Sequence, residues 1–332
     1  MPMQIQRINA IYDQAAGLGD ETVHGPYKSE GTLRNFGLKV NEQKTKLFVQ
    51  RYLLDKAKGS GVEFAFEGDE IVMQVTYFKK RRGQNGTLVW RNVSFCIPME
   101  CTFRGTKTQG FLPVFSFSSN MFSVVTLSEI NGTYTEAVQM WSPNDLWTEN
   151  LTRETPKKNV FTLDTNVIPK GAKEYEHRRL IAVRNTKKVA NPQSKSTLHQ
   201  NFIDELEGRK PFWVYSLKQF PKAQFASRAC YQGLVRVHHT PDKQVEATTQ
   251  HQHNARIRIY DYESHPICQN LGLVVKKTSL DKVQDTTFSV LEPTFYTVTT
   301  GKFDEALGET MAYRVDNLGE ASGWKEPPIR ED

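Results

Sequence analysis

Histidine is the residue type whose spacing in this chain comes nearest to a site for chemistry. His251 and His253 are two residues apart, so in a strand both would face the same side. If the segments LVRVHH and HQHNARIRIYDY pair across the Pro241–Asp242 turn, His239 would lie close to them. Five of the eight histidines fall in this part of the chain: His238, His239, His251, His253 and His265.

Imidazoles that converge in this way, with Asp261 or Glu263 nearby, would suit zinc or another divalent metal ion. We therefore take His239, His251 and His253 as candidate metal ligands, although their spacing matches no closed zinc motif. Two alternatives stay open. In the first, the histidines form a pH-sensitive contact, since imidazole gains charge between about pH 5 and 8. In the second, they have no special role and are tolerated at the polar end of a strand.

The basic run Lys79-Lys80-Arg81-Arg82 is the second candidate site. At the tip of a hairpin these four side chains would contact nucleic-acid phosphates, with an affinity that falls steeply with salt. The alternative is that charge at a hairpin tip guards a sheet edge against aggregation.

Enzyme signatures are missing from the sequence. It contains no GxSxG elbow, no phosphate-binding loop and no HExxH pair. The Gly17-Leu18-Gly19 segment lacks the third glycine of a dinucleotide fingerprint, because Thr22 occupies that place. The sequence therefore predicts a protein that is not an enzyme, with no catalytic residue and no cofactor beyond the divalent metal ion.

Composition indicates an ordinary globular chain. Its 332 residues can bury a substantial core, and the net charge of +6 makes it mildly basic. The four cysteines show no CxxC pair, which fits synthesis in a reducing compartment. No segment of about 18 apolar residues occurs, so we expect no membrane span.

Alternating apolar segments predict many strands and few helices. EIVMQVTYF and TLVWRNVSFCI flank a turn containing Asn85-Gly86 and predict a hairpin, while residues 41–59 are the best helix candidate. FIDELEG predicts a second, short helix. More than eight unevenly spaced strands favour an all-β, mainly antiparallel jelly-roll β-sandwich with long loop insertions and one or two short helices.

The pattern also divides the chain. Residues 1–40 are weakly patterned and predict an N-terminal arm. Residues 41–315 form a single β-sandwich domain with an irregular insertion at 142–210, and residues 316–332 are a polar C-terminal tail. A long excursion inside a β protein usually serves function or an interface.

The late strand Arg256-Ile257-Arg258-Ile259-Tyr260, in a β-rich chain of this size, resembles jelly-roll coat proteins of small icosahedral single-stranded DNA viruses. In size, and in lacking an arginine-rich arm, the chain looks more like the densovirus and parvovirus group than like the geminivirus group. The resemblance implies a capsid subunit that assembles with copies of itself into a shell, meets genomic nucleic acid on its inner face and contacts a host receptor. It implies that the protein is synthesised in the host cytoplasm and is located in the virion, and that the host nucleus is a second location.

Two other functions stay open. One is a β-rich nucleic-acid-binding replication accessory protein, which salt-dependent binding by a monomer would indicate. The other is a metal-dependent β-sandwich enzyme that uses the histidine group.

Overall fold

The computed structural model describes most of the chain. The described residues are 26–66, 68–83, 87–120, 123–124, 127–128, 131–141, 159–185, 196–207, 210–222, 225–243, 245–250, 255–306, 308–317, 320–321 and 323–327. Within these ranges, no helix has the length and hydropathy of a transmembrane segment.

The described residues form two sheets. The twelve strands of the large sheet are β1 (Tyr27–Lys39), β2 (Val62–Ala65), β3 (Glu70–Arg82), β4 (Thr87–Phe103), β5 (Thr106–Ser118), β6 (Thr135–Ala137), β10 (Phe212–Lys222), β11 (Phe225–Pro241), β12 (Glu246–Gln250), β16 (Tyr296–Glu305), β17 (Glu309–Asn317) and β18 (Glu320–Ala321). The six strands of the small sheet are β7 (Gln139–Trp141), β8 (Asn159–Val167), β9 (Glu176–Asn185), β13 (Ala255–Tyr260), β14 (Lys277–Asp281) and β15 (Thr286–Leu291).

Helical structure is sparse. The helix predicted at residues 41–59 is confirmed: the Asn41 side chain accepts the Lys44 backbone N–H at 3.1 Å and caps it. The predicted helix at FIDELEG is confirmed as part of a longer one. The helical segments are α1 (Glu42–Val49), a π-helical turn (Gln50–Leu54), α2 (Asp55–Ala57), α3 (Thr197–Glu207) and α4 (Ile267–Asn270).

Part of the large sheet closes into a barrel. Strands β1, β3, β4 and β5 pair in succession, and β10 and β11 continue the sheet. Strand β16 then pairs with both β11 and β1, which completes the ring. Every pair in the ring is antiparallel except β5 with β10, which is parallel.

The predominantly β architecture is confirmed, and the predicted hairpin forms as β3 and β4. The jelly-roll sandwich is not confirmed, because a jelly roll consists of antiparallel strands in two sheets. Here the ring of strands encloses an interior of its own and includes a parallel pair.

Where the barrel faces the small sheet, its wall is buried on both sides. In β3, Met73 and Val75 belong to the main core, which also contains Ile181 and Ile257 of the small sheet. The alternate residues of the same strand face the barrel interior and include Gln74, Thr76 and Phe78. The main core therefore lies between the outer surface of the barrel and the small sheet.

Strand β1 occupies residues that the sequence assigned to an arm. Its polar residues Ser29 and Asn35 are buried inside the large sheet, and Asn35 accepts a hydrogen bond from Gln74 Nε2 at 3.1 Å. Because these inward positions are polar, the strand lacks the apolar alternation that would have marked it as buried.

The close approach of β5 to β10 gives a test of barrel closure. A Cβ at Gly110 would lie 2.4 Å from the carbonyl oxygen of Trp213, the residue with which Gly110 pairs. We expect Gly110→Ala to lower the free energy of unfolding by about 1–3 kcal/mol in urea titrations, because the two backbones must separate. Gly323→Ala is the control, since no atom lies within 4 Å of its Cβ position. Equal stabilities for the two variants would contradict the close pairing of β5 and β10.

Candidate functional site

The barrel interior contains a cavity of about 90 Å³. All seven strands of the ring contribute side chains to its lining, together with the loop that precedes β6. Four of these side chains, Leu33, Phe78, Trp90 and Phe303, pack together as an apolar cluster separate from the main core. The cavity is thus walled largely by aromatic and aliphatic groups, as small-molecule sites usually are.

Of the four residues in the basic run 79–82, Arg81 is the one that lines this cavity. Lys79, Lys80 and Arg82 are exposed, whereas Arg81 is only 2% exposed. Strict alternation from Phe78 would turn Lys80 inward, but the β3–β4 register shifts between Phe78 and Arg81. This bulge adds a residue to β3 and directs Arg81 into the barrel.

The Arg81 guanidinium is held between two aromatic rings. Its central carbon lies 4.1 Å from the ring centre of Tyr27 and 3.6 Å from that of Trp90. Cation–π contacts of this kind gain strength when the cation is removed from water.

A carboxylate balances the buried charge. Arg81 Nη2 donates to Glu305 Oε1 at 2.7 Å and lies 2.7 Å from Oε2, and both side chains are almost fully buried. Glu305 is the last residue of β16 and pairs in register with Tyr27 on one side and His239 on the other. A buried ion pair of this type is costly to break, because the remaining partner becomes an uncompensated charge.

His239 completes the charged end of the cavity. Its Nδ1 lies 3.6 Å from Glu305 Oε2, and its ring stacks on Phe212 with centroids 5.1 Å apart and planes 10° apart. Burial lowers the pKa of His239, and the opposing effect of Glu305 does not restore it. The imidazole is therefore neutral at pH 7, the state in which it accepts a proton.

A ring of polar side chains lines the cavity further along the barrel. Asn92 Nδ2 donates to Ser94 Oγ at 2.8 Å, and the Ser94 and Ser116 hydroxyls are 2.8 Å apart. Ser116 Oγ in turn donates to Asn92 Oδ1 at 3.4 Å. These groups can hydrogen-bond a polar atom of a bound molecule.

The thiol in the cavity lining is not an activated nucleophile. Burial raises the pKa of Cys96 to about 12, so the sulfur is protonated at neutral pH. The lining residues, as far as the structure describes them, include no lysine.

The structure brings together some of the predicted site residues and does not describe others. His239 and Arg81, taken from two separate motifs, both contact Glu305. His251 and His253 lie outside the described residues, so the three-histidine metal site stays a prediction. Among the residues that the structure does describe, no group of three or more metal-binding side chains occurs.

The expected pairing behind the metal site is wrong. Strand β11 carries His239 in the barrel, whereas β13 pairs with β9 and β15 in the small sheet. The described part of the second segment, β13, therefore does not pair with β11.

Sequence reasoning missed Glu305 and Tyr27. Glu305 follows Phe303 by two residues at the end of the segment YTVTTGKFDE, and strand periodicity places both on one face. That spacing was the available signal, but a glutamate near a strand end more often faces solvent. Tyr27 was hidden because its strand was assigned to the N-terminal arm.

Comparison with known proteins found enzymes among solved structures. No family model matches the chain, and no curated protein matches it. An acetoacetate decarboxylase from Legionella pneumophila subsp. pneumophila str. Philadelphia 1 is 13% identical, with 90% of this chain and 93% of that chain covered and a TM-score of 0.49. An acetoacetate decarboxylase-like enzyme from Sphingomonas wittichii RW1 is 11% identical, with 86% and 92% covered and a TM-score of 0.48.

The enduracididine biosynthesis enzyme MppR is a third similar structure. It is 11% identical, with 86% of this chain and 88% of that chain covered and a TM-score of 0.47. At these identities and TM-scores, no activity is carried over to this chain.

These findings correct the functional prediction. The resemblance to viral coat proteins is wrong, because the similar structures are enzymes and no capsid protein was found among them. The predicted capsid function, the non-enzyme assignment and the virion location are wrong with it. The shell of identical subunits and the genomic nucleic acid are likewise unsupported as partners, as is the nucleic-acid-binding accessory function.

The buried ion pair gives a test of the charged end of the cavity. We expect Glu305→Ala to lower the free energy of unfolding by about 3–5 kcal/mol, because the Arg81 charge stays buried without its partner. Glu30→Ala is the matched control: it removes the partner of exposed Lys79, and the loss should be small because water screens a surface ion pair. The double variant Arg81→Met/Glu305→Leu should be more stable than Glu305→Ala. Similar losses for Glu305→Ala and Glu30→Ala in urea titrations would refute the buried pair.

Proposed function

We propose that this protein is an enzyme that moves a proton on a small uncharged carbonyl compound bound in the barrel cavity, with His239 as the base. The observation that carries the proposal is the meeting of three ionisable side chains, Arg81, Glu305 and His239, in the wall of one cavity. Buried ionisable groups that converge in a cavity are a common feature of active sites.

Cavity size limits the substrate. An apolar cavity of about 150 Å³ holds benzene, which has six heavy atoms, so each atom needs roughly 25 Å³. On that scale the 90 Å³ cavity accommodates a molecule of roughly four heavy atoms. Small ketones and aldehydes are of this size.

The charge balance favours an uncharged substrate. The Arg81 guanidinium is neutralised by the Glu305 carboxylate, and the lowered pKa leaves His239 neutral. An ionic substrate would bring an uncompensated charge into an aromatic-walled space, which is costly.

The lining residues favour proton transfer over covalent catalysis. Imine formation with a carbonyl compound needs a lysine amine, and the described lining has none. The Cys96 thiol is protonated at neutral pH because burial raises its pKa. A neutral imidazole is an effective base for a proton on the carbon next to a carbonyl group.

The polar groups have a complementary role. As the proton leaves carbon, negative charge develops on the carbonyl oxygen, and hydrogen-bond donors aimed at that oxygen stabilise it. Asn92 is the cavity group suited to this role, because its amide has a second N–H besides the one that it donates to Ser94. The Ser94 and Ser116 hydroxyls donate within the ring and hold the Asn92 side chain in place.

Proton exchange tests the proposal directly. Acetone is incubated with the protein in D₂O, and loss of the methyl proton signal is followed by NMR. We expect the protein to accelerate exchange over buffer and His239→Gln to slow it by about 10²-fold or more, because the base is lost. His238→Gln is the matched control, since that neighbouring ring packs on Trp213 and does not line the cavity.

The pH profile adds a second measurement. Because the pKa of His239 is lowered, the exchange rate should stay constant around neutral pH. As the pH is lowered further the imidazole is protonated, and the rate should fall with a midpoint below the ordinary histidine pKa of about 6.5. Exchange in His239→Gln at the wild-type rate, or a midpoint above about 6.5, would exclude His239 as the base. Acetone binding without exchange, seen by saturation-transfer NMR, would show a binding protein instead of an enzyme.

A further inference from the structure

A second polar cluster lies outside the barrel. Ser264, His265 and Glu136 line a cleft of about 550 Å³ that also contacts the π-helical turn, β5 and Asn166 of β8. We propose that these three residues form a separate catalytic site that cleaves uncharged carboxylic esters, with Ser264 as the nucleophile.

A continuous chain of hydrogen bonds joins the three side chains. The Ser264 hydroxyl lies 2.8 Å from His265 Nδ1, and His265 Nε2 lies 2.8 Å from Glu136 Oε2. The Ile168 backbone N–H donates to Ser264 Oγ at 2.8 Å, so the hydroxyl hydrogen remains for the imidazole. This is the serine–histidine–acid order that activates a hydroxyl for acyl transfer.

The carboxylate determines which imidazole nitrogen carries the proton. Burial raises the pKa of Glu136, but hydrogen bonds from His265 and Thr165 outweigh it and lower the pKa overall. The ionised carboxylate accepts from Nε2–H, which leaves Nδ1 without a proton and able to accept from Ser264. Thr165 Oγ1 also donates to Glu136 Oε1, and the Phe117 ring lies 6.3 Å from that of His265.

The cleft favours an uncharged ligand with an apolar or aromatic group. Its lining includes several aromatic rings, and Tyr134 and Tyr175 are 74% and 68% exposed. No lysine or arginine lines it within the described residues, so an anionic substrate would find no cation there. Among the lining residues that the structure describes, Glu136 and His265 are the only acidic or basic side chains.

Backbone strain occurs at the same place. Phe115 lines the cleft and has φ of 46°, in the left-handed region that residues with a side chain rarely adopt. Strain of this kind costs about 1–3 kcal/mol and often occurs at functional sites.

The chemical step balances within the three residues and water. Ser264 Oγ attacks the ester carbonyl carbon while its proton passes to His265 Nδ1. The bond to the alkoxy oxygen breaks, and the alcohol leaves with that proton. Water, activated by His265, then hydrolyses the acyl-serine, releases the carboxylic acid and restores the serine hydroxyl.

Covalent labelling tests the proposal on the full chain. Diisopropyl fluorophosphate, an uncharged reagent for activated serines, is incubated with the protein, and the adduct is located by peptide mass spectrometry. We expect a phosphoester on Ser264, with release of fluoride, and no adduct in Ser264→Ala. Hydrolysis of 4-nitrophenyl butyrate should fall to background in Ser264→Ala and by about 10²–10⁴-fold in His265→Gln, because the base is lost.

The matched control is Ser196→Ala. Ser196 Oγ also accepts a backbone N–H, from His199 at 3.0 Å, and donates to a carboxylate, Glu70, at 2.5 Å, but no imidazole lies between them. This variant should keep both labelling and hydrolysis. Thermal unfolding by circular dichroism confirms that each variant is folded. Failure of folded wild-type protein to label at Ser264, or wild-type hydrolysis by Ser264→Ala, would overturn the proposal.

Discussion

The pairing of β16 with both β1 and β11 closes the barrel, and the cavity depends on that closure. Glu305 lies on this seam, in register with Tyr27 on one side and His239 on the other. The ion pair from Glu305 to Arg81 spans β1 and links β16 to β3, the next strand of the ring. The same carboxylate therefore neutralises the buried arginine and sets the surroundings of the imidazole.

The barrel wall serves two interiors that differ in polarity. Where it faces the small sheet, its outward residues include a large apolar cluster that is shielded from water. Its inward residues mix aromatic rings with hydroxyl and amide groups. Buried polar groups of this kind are stable when they hydrogen-bond one another, as Asn92, Ser94 and Ser116 do.

Strand β5 connects the barrel cavity with the outer cleft. Ser116 lines both spaces, and its neighbours Phe115 and Phe117 line the cleft. The β4–β5 register shifts between Val93 and Phe95, which is where the chain accommodates the left-handed conformation of Phe115. In a regular strand, successive side chains point strictly to alternate faces of the sheet. The irregularity in β5 relaxes this alternation, so one short segment lines both the cavity and the cleft.

Local pattern determined the strand-rich character, the β3–β4 hairpin and the helix after Asn41, because these depend on side-chain periodicity and short-range turn and cap signals. It also singled out His239 as a metal ligand and Arg81 as a nucleic-acid contact, in both cases without their common partner Glu305. Only the tertiary structure decided that these residues meet at Glu305, because the bulge in β3 turns Arg81 inward and because β11 pairs with β16. Pairings between strands far apart in sequence leave no local signal, and polar residues inside a barrel have the same composition as polar residues on a surface. The closed barrel and its charged cavity therefore come from contacts that no window of the sequence contains.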